Sequence, residues 1–110
     1  MTTKTNKYIV YYTNSFNRDL KKAIKQKRRL DKLYFVIDLL ANGIALPPKY
    51  KNHPLKGEMQ GHWDCHIEND FVLIYRYDYP NNRLALVNLG THSELFFNLF
   101  DIFSDDNIYS

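Results

Sequence analysis

At 110 residues the chain is enough for one domain, with room for a single core of helices packed on a sheet. Hydrophobic residues make up 45 % of it, including nine Tyr and seven Phe, yet no stretch approaches the ~20 apolar residues of a membrane span. The net charge is +3, and a lone cysteine, Cys65, excludes an intramolecular disulfide and a cysteine-rich zinc site. Residues 1–7 carry no apolar run of the kind a secretory signal requires, so a cytoplasmic location is expected.

The charge is unevenly spread. Residues 1–60 hold thirteen Lys and Arg against four Asp and Glu, a net of +9, whereas residues 61–110 hold two against eight, a net of −6. The first half is therefore the natural docking surface for a polyanion or an acidic partner. Six cations lie between Lys21 and Arg29, a block that repels itself unless something binds it. The plainer alternative is a solvated helix face.

In chain order, Tyr8–Tyr12 is β-branched and aromatic and predicts a first strand. Thr13, Asn14 and Ser15 offer helix N-caps, after which Phe16, Leu20, Ala23 and Ile24 recur at helical spacing. A second helix follows from Leu30, Leu33, Tyr34, Ile37, Leu40 and Ala41, closed by Asn42-Gly43 and kept from restarting by Pro47-Pro48. The segment 49–61 is polar and punctuated by Pro54, Gly57 and Gly61. Three strands are predicted beyond it, His62–Glu68, Phe71–Tyr77 and Arg83–Leu89, with turns at Glu68–Asp70 and Tyr79–Asn82. The order β-α-α-β-β-β predicts an α+β domain with two helices on one face of a mostly antiparallel, four-stranded sheet.

All four histidines lie between positions 53 and 92. His62, Asp64 and His66 alternate, so on a strand they share one face, while Trp63, Cys65 and Ile67 face the helices. Such a set is costly as core and natural as an open, wet, ionisable surface. Asp70 follows in the next turn, His92 follows the last strand, and His53 lies in the loop leading into the sheet. Three readings stay open on these grounds. The residues are surface polar groups without a joint role, or a site for zinc or manganese built on His-x-Asp-x-His, or a general acid–base cluster. In the last, imidazoles pass protons and Arg76 neutralises a phosphate. The basic first half favours a nucleic acid as substrate.

Ordered motifs carry a resemblance over nearly the whole chain, from Tyr8 to Phe96. Lys51-Asn-His-Pro-Leu-Lys-Gly57, Gly61-His-Trp-Asp-Cys-His-Ile-Glu-Asn-Asp70, Leu73-Ile-Tyr-Arg-Tyr77 and Leu89-Gly-Thr-His-Ser-Glu-Leu-Phe96 are similar to the YafQ branch of the RelE/ParE toxin superfamily. Leu39-Leu-Ala-Asn-Gly43 and Leu46-Pro-Pro-Lys-Tyr50 match that family's helix end and following loop. The resemblance implies a microbial-ribonuclease-like domain over residues 1–96, acting as a metal-independent, cofactor-free endoribonuclease that cuts mRNA on the ribosome. It implies a toxin–antitoxin hetero-oligomer with a RelB- or DinJ-like antitoxin, and no membrane partner. By position, His53, Asp64, His66, Asp70 and His92 are similar to the family's catalytic cluster. Arg76 stands where a Lys or Arg is usual, Phe96 matches an aromatic that supports the site, and His62 is mostly structural. The ribose 2′-hydroxyl would be the nucleophile, with His66 or His92 as base. Lys21, Lys22 and Lys25 are expected to contact RNA. An inactive binding module of the same fold and a metal-dependent nuclease are the alternatives.

Two features depart from the pattern. Asn69 stands where Pro is frequent, and the chain continues past Phe96 with an apolar run, Phe97-Asn-Leu-Phe-Asp-Ile-Phe103, then an acidic tail. The i, i+4 spacing of Leu99 and Phe103 predicts a short helical extension over residues 97–110 that docks on its own domain.

Overall fold

A computed structural model describes residues 6–96, so the expected extension lies outside the described residues. The elements in order are β1 (Ile9–Tyr12), α1 (Asn14–Lys25), α2 (Leu30–Ala41), β2 (His53–Pro54), β3 (Trp63–Glu68), β4 (Phe71–Asp78) and β5 (Arg83–Gly90). The backbone is helical again over residues 92–96. Short 3-10 turns stand at Pro48–Tyr50, Gly57–Met59 and Tyr79–Asn81.

Each helix end has a local cause. Thr13 has extended backbone, and its hydroxyl accepts the Phe16 N–H at 3.1 Å, which starts α1. At the end of α2, Gly43 adopts φ +69°. Its N–H donates to the Leu40 carbonyl and the Ile44 N–H to the Leu39 carbonyl, a Schellman closure that stops the helix and sends the chain toward the sheet.

The sheet has the order β1-β5-β4-β3-β2, all antiparallel except the parallel pair β1–β5. It has five strands where four were expected, because His53 and Pro54 pair with Asp64 and Trp63. Two residues flanked by polar sequence give no alternating pattern to read. The helices pack on one face, as expected: Phe16, Ala23, Leu33, Val36, Ile37 and Leu40 meet Cys65, Ile67, Phe71, Leu73, Tyr75, Leu84 and Leu86. The expected stripe needs two corrections. Tyr34 and Ile24 are about half exposed, whereas Val36 is fully buried. Val36 lies about 60° round the helix from Leu33 while Tyr34 lies about 100° to the other side, so the buried face rotates toward Val36.

The opposite face carries a smaller apolar cluster. Val72, Ile74 and Leu95 are buried there, with Leu55, Met59, Val87 and Phe96 packed against them. Asp64 and His66 pair with Ile74 and Val72 and so open onto this second face.

Candidate active site

The site is built where β2, the β3–β4 turn and the start of the helical segment at residues 92–96 converge. Strand register supplies the first link. His53 sits opposite Asp64, and its Nδ1 lies 3.0 Å from Asp64 Oδ1 and 3.0 Å from the Lys51 carbonyl. The hydrogen bond runs to the carbonyl, which can only accept, so Nδ1 carries the proton and Nε2 is left free. Asp64 Oδ1, close to His53 Nδ1, accepts no hydrogen bond from the described residues. Asn52, just before His53, is itself held, since the buried Tyr75 hydroxyl donates to its side-chain carbonyl.

Asp64 is 1 % exposed, which corrects the expectation of a wholly wet surface. The apolar cluster beside it removes water, and burial raises its carboxyl pKa above the ordinary value although His53 and His92 pull it down. His66 remains partly exposed. Burial holds its imidazole below the usual pKa, aided by the electrostatic effect of His92, Lys51 and His53 and partly offset by Asp70.

The second link joins Asp70 to His92. One carboxylate oxygen of Asp70 accepts both the backbone N–H and Nδ1–H of His92, each at 2.9 Å. Those bonds hold the Asp70 carboxyl below its usual pKa and fix the His92 ring with Nε2 outward. The His66 and His92 rings then meet edge to face with centroids 4.7 Å apart, and His92 stacks on Phe96 at 5.7 Å. The five residues expected to form the cluster thus fall into two linked groups, His53 with Asp64 and Asp70 with His92 and His66, with Phe96 against the second. Electrostatic effects of His53 on His66 and of His92 on Asp64 connect them.

The expected RNA-contacting residues are more dispersed. Arg76 is exposed on the correct face of β4, but two same-face steps from Val72, which pairs with His66, roughly 13 Å along the strand. Its charge acts on Asp78. Lys22 forms an ion pair with Glu94, while Lys21 and Lys25 are exposed on α1. His62 is half-buried and its Nδ1 has no hydrogen-bond partner among the described residues. Cys65 is fully buried, and burial pushes its thiol pKa up, so it offers no thiolate.

Some site residues were missed in the sequence. Thr91 and Glu94 form a capping box: the Thr91 N–H donates to Glu94 Oε1 at 2.9 Å, and the Glu94 N–H donates to Thr91 Oγ1 at 3.1 Å. This box starts the helical turn that carries His92 and Phe96. Its Thr-x-x-Glu signature was there to be read. Arg28, whose guanidinium lies 5.0 Å over the Phe71 ring, adds positive charge near Asp70. Among the described residues no three His, Cys, Asp or Glu side chains are grouped to hold one metal ion.

Residues 8–97 match the family described as bacterial toxin of type II toxin–antitoxin system, YafQ. The chain belongs to the YafQ toxin family. It is 36 % identical over 88 residues to the mRNA interferase toxin YafQ of Escherichia coli K12, covering 79 % of this chain and 94 % of that one. The toxins of this family that bear the name mRNA interferase are endoribonucleases. The fold superposes on the crystal structure of the E. coli DinJ–YafQ toxin–antitoxin complex with a TM-score of 0.74 at 35 % identity, over 82 % of this chain and 98 % of that chain. It superposes on a metal-bound toxin from Helicobacter pylori with a TM-score of 0.77 at 42 % identity, over 81 % and 99 %. No helix among the described residues is long and apolar enough to cross a membrane.

Proposed function

We propose that this YafQ-family toxin is a ribosome-dependent endoribonuclease that cleaves mRNA by metal-independent acid–base catalysis. The observation that carries the reading is the His66–His92 pair, two imidazoles with centroids 4.7 Å apart and held in different ways. His66, whose pKa burial and its neighbours hold below the usual imidazole value, is suited to act as base. His92, oriented by Asp70 and facing outward through Nε2, is suited to act as acid. His66 takes the proton of a ribose 2′-hydroxyl, and the oxygen attacks the adjacent phosphorus. The bond to the 5′-oxygen breaks, His92 protonates that oxygen, and a 2′,3′-cyclic phosphate remains. His53 acts electrostatically on His66, Asp64 holds His53 beside it, Phe96 offers a face for a base, and Arg76 serves the flanking backbone.

The E. coli relative is solved with its antitoxin DinJ. By the same reasoning a DinJ-like antitoxin inhibits this chain in a hetero-oligomer, docking on the basic α1–α2 surface by charge complementarity.

The test is cleavage of mRNA on programmed ribosomes with purified toxin. A 2′-deoxy substitution at the scissile nucleotide should abolish cutting, the upstream fragment should end in a cyclic phosphate, and EDTA at matched free Mg²⁺ should change nothing beyond its effect on the ribosome. Cleavage of the 2′-deoxy message would sink the mechanism. The H. pylori neighbour being metal-bound favours a second reading, a metal-dependent nuclease, which loss of activity after chelation and its return with a transition metal would establish.

A further inference from the structure

Beside His66 a cleft of about 230 Å³ opens between α2 and the Pro48–Tyr50 turn, and none of the roles assigned above uses it. Its walls include Lys32, Lys49, Lys51 and Glu68, and the His66 imidazole lines it as well. The cleft exists because β2 pairs with β3 only at Trp63 and Asp64, so no strand among the described residues covers the β3 edge from His66 to Glu68. Three ammonium groups from two separate segments face one carboxylate. Lys32 is 3.6 Å from Glu68, Lys49 lies over the Tyr50 ring at 5.2 Å, and Lys51 has no ion pair among the described residues.

Lys51 is unusual in its backbone as well. It adopts φ +47°, ψ +48°, the left-handed region that a residue with a Cβ rarely occupies. The turn this creates presents the Lys51 carbonyl to His53 Nδ1, while its side chain enters the cleft. A glycine would make the same turn more easily, so the backbone alone does not call for a lysine.

We propose that Lys51, supported by Lys49 and Lys32, is a phosphate subsite that holds the RNA backbone one linkage away from the phosphate cut between His66 and His92. The proposal rests on the ribonuclease reading and adds to it a positioning residue and the chemistry of its ligand, a phosphodiester. A positive cleft that opens directly onto the imidazole fits a neighbouring phosphate, because a linear chain crossing the histidine pair must continue along one side of it. The Lys51 charge also acts on His66, so the two groups are within electrostatic reach. An acidic antitoxin side chain shares the charge but not the need to lie in line with the histidine pair.

Lys51→Gly separates the two roles of the residue, keeping the left-handed turn and the His53 bond while removing the cation. The measurement is the affinity of the full chain for a fluorescent RNA oligomer made uncleavable by 2′-O-methyl groups, followed across KCl concentration. One lost phosphate contact to a single strand should reduce the slope of log affinity against log salt by about 0.7, which weakens binding about fivefold at 0.1 M salt. Lys51→Arg should restore both slope and affinity. Unchanged slope and affinity in Lys51→Gly, with the parent still cutting mRNA on ribosomes, would overturn the subsite and leave the ribonuclease standing. A parent that does not cut mRNA at all overturns the ribonuclease reading instead. Weakened antitoxin binding in Lys51→Gly with RNA binding intact would assign the cleft to a carboxylate and also refute the proposal.

Discussion

Gly90 is the most informative single position for testing how His92 is held. A Cβ built there would stand 2.8 Å from Glu94 Oε1, closer than real contacts allow, and 3.5 Å from Leu95 Cδ2. The Glu94 carboxylate is the movable partner, and moving it breaks its bond to the Thr91 N–H and disturbs its ion pair with Lys22. Loss of a helix cap costs about 1 kcal/mol, within a range of about 0.5–2. Gly→Ala in a compatible backbone returns about 0.4–1 kcal/mol by restricting the unfolded chain. The two partly cancel in the parent, so the informative number is a difference between backgrounds. Gly90→Ala should be neutral or slightly stabilising when Glu94 is already Ala, and less favourable by about 1 kcal/mol when Glu94 is present. In thermal melts that coupling is roughly 5 °C for a domain of this size. Cleavage should fall in Gly90→Ala and in Glu94→Ala alike, because both loosen the turn bearing His92 and Phe96. If Gly90→Ala shifts the melting temperature equally in both backgrounds, the capping box is not what the methyl group displaces and the argument fails.

Three further outcomes are expected. Asp64→Asn should abolish growth arrest yet raise stability at neutral pH. The sign follows from burial: the folded protein holds the Asp64 proton more tightly than the unfolded chain, whose value is near 3.8, so stability is lost as pH rises above that value. Chemical denaturation of parent and variant should therefore converge near pH 4 and diverge above it, and a less stable variant at pH 7 would contradict this. The acid limb of the cleavage profile should lie below pH 6.5, since His66 must be unprotonated to act as base, and His53→Ala should move the limb upward. A limb above pH 6.5 in the parent would remove His66 from that role. Reversing Lys21 and Lys25 to Glu, with Lys22 left in place to spare its ion pair with Glu94, should weaken ribosome sedimentation most at low salt. Unchanged sedimentation would mark α1 as a solvated face.

Most of the fold could be read from residue spacing, since α1, α2 and β3 each turn a periodic apolar face to the core and β4 and β5 are near-continuous apolar runs buried on both faces. The errors came where spacing carries no information. Residues 53 and 54 form a strand only because β3 offers an edge, and Tyr34 is exposed only because the neighbouring elements rotate α2 toward Val36. Within the site, the alternation of His62, Asp64 and His66 predicted a shared face but not its depth. Whether that face is wet depends on Leu55, Met59, Leu95 and Phe96, which arrive from a loop and a turn distant in the chain. The Asp70–His92 bond joins a turn to the residue after β5, a pairing that no local pattern encodes. The left-handed backbone at Lys51 leaves no trace in composition, because only a glycine there would have signalled it.

The parallel pairing of β1 with β5 bears on when the toxin becomes active during its synthesis. Ile9 aligns with Arg83 and Tyr12 with Leu86, so β1 must wait for β5, made about seventy residues later, before the pair can form. His92 follows two residues after β5, and its partners Asp70 and His66 come from the preceding hairpin. Contacts this distant along the chain form late in folding. A nascent chain therefore carries none of the assembled histidine pair until the chain through His92 has emerged, well after α1, α2 and the β3–β4 hairpin have been made.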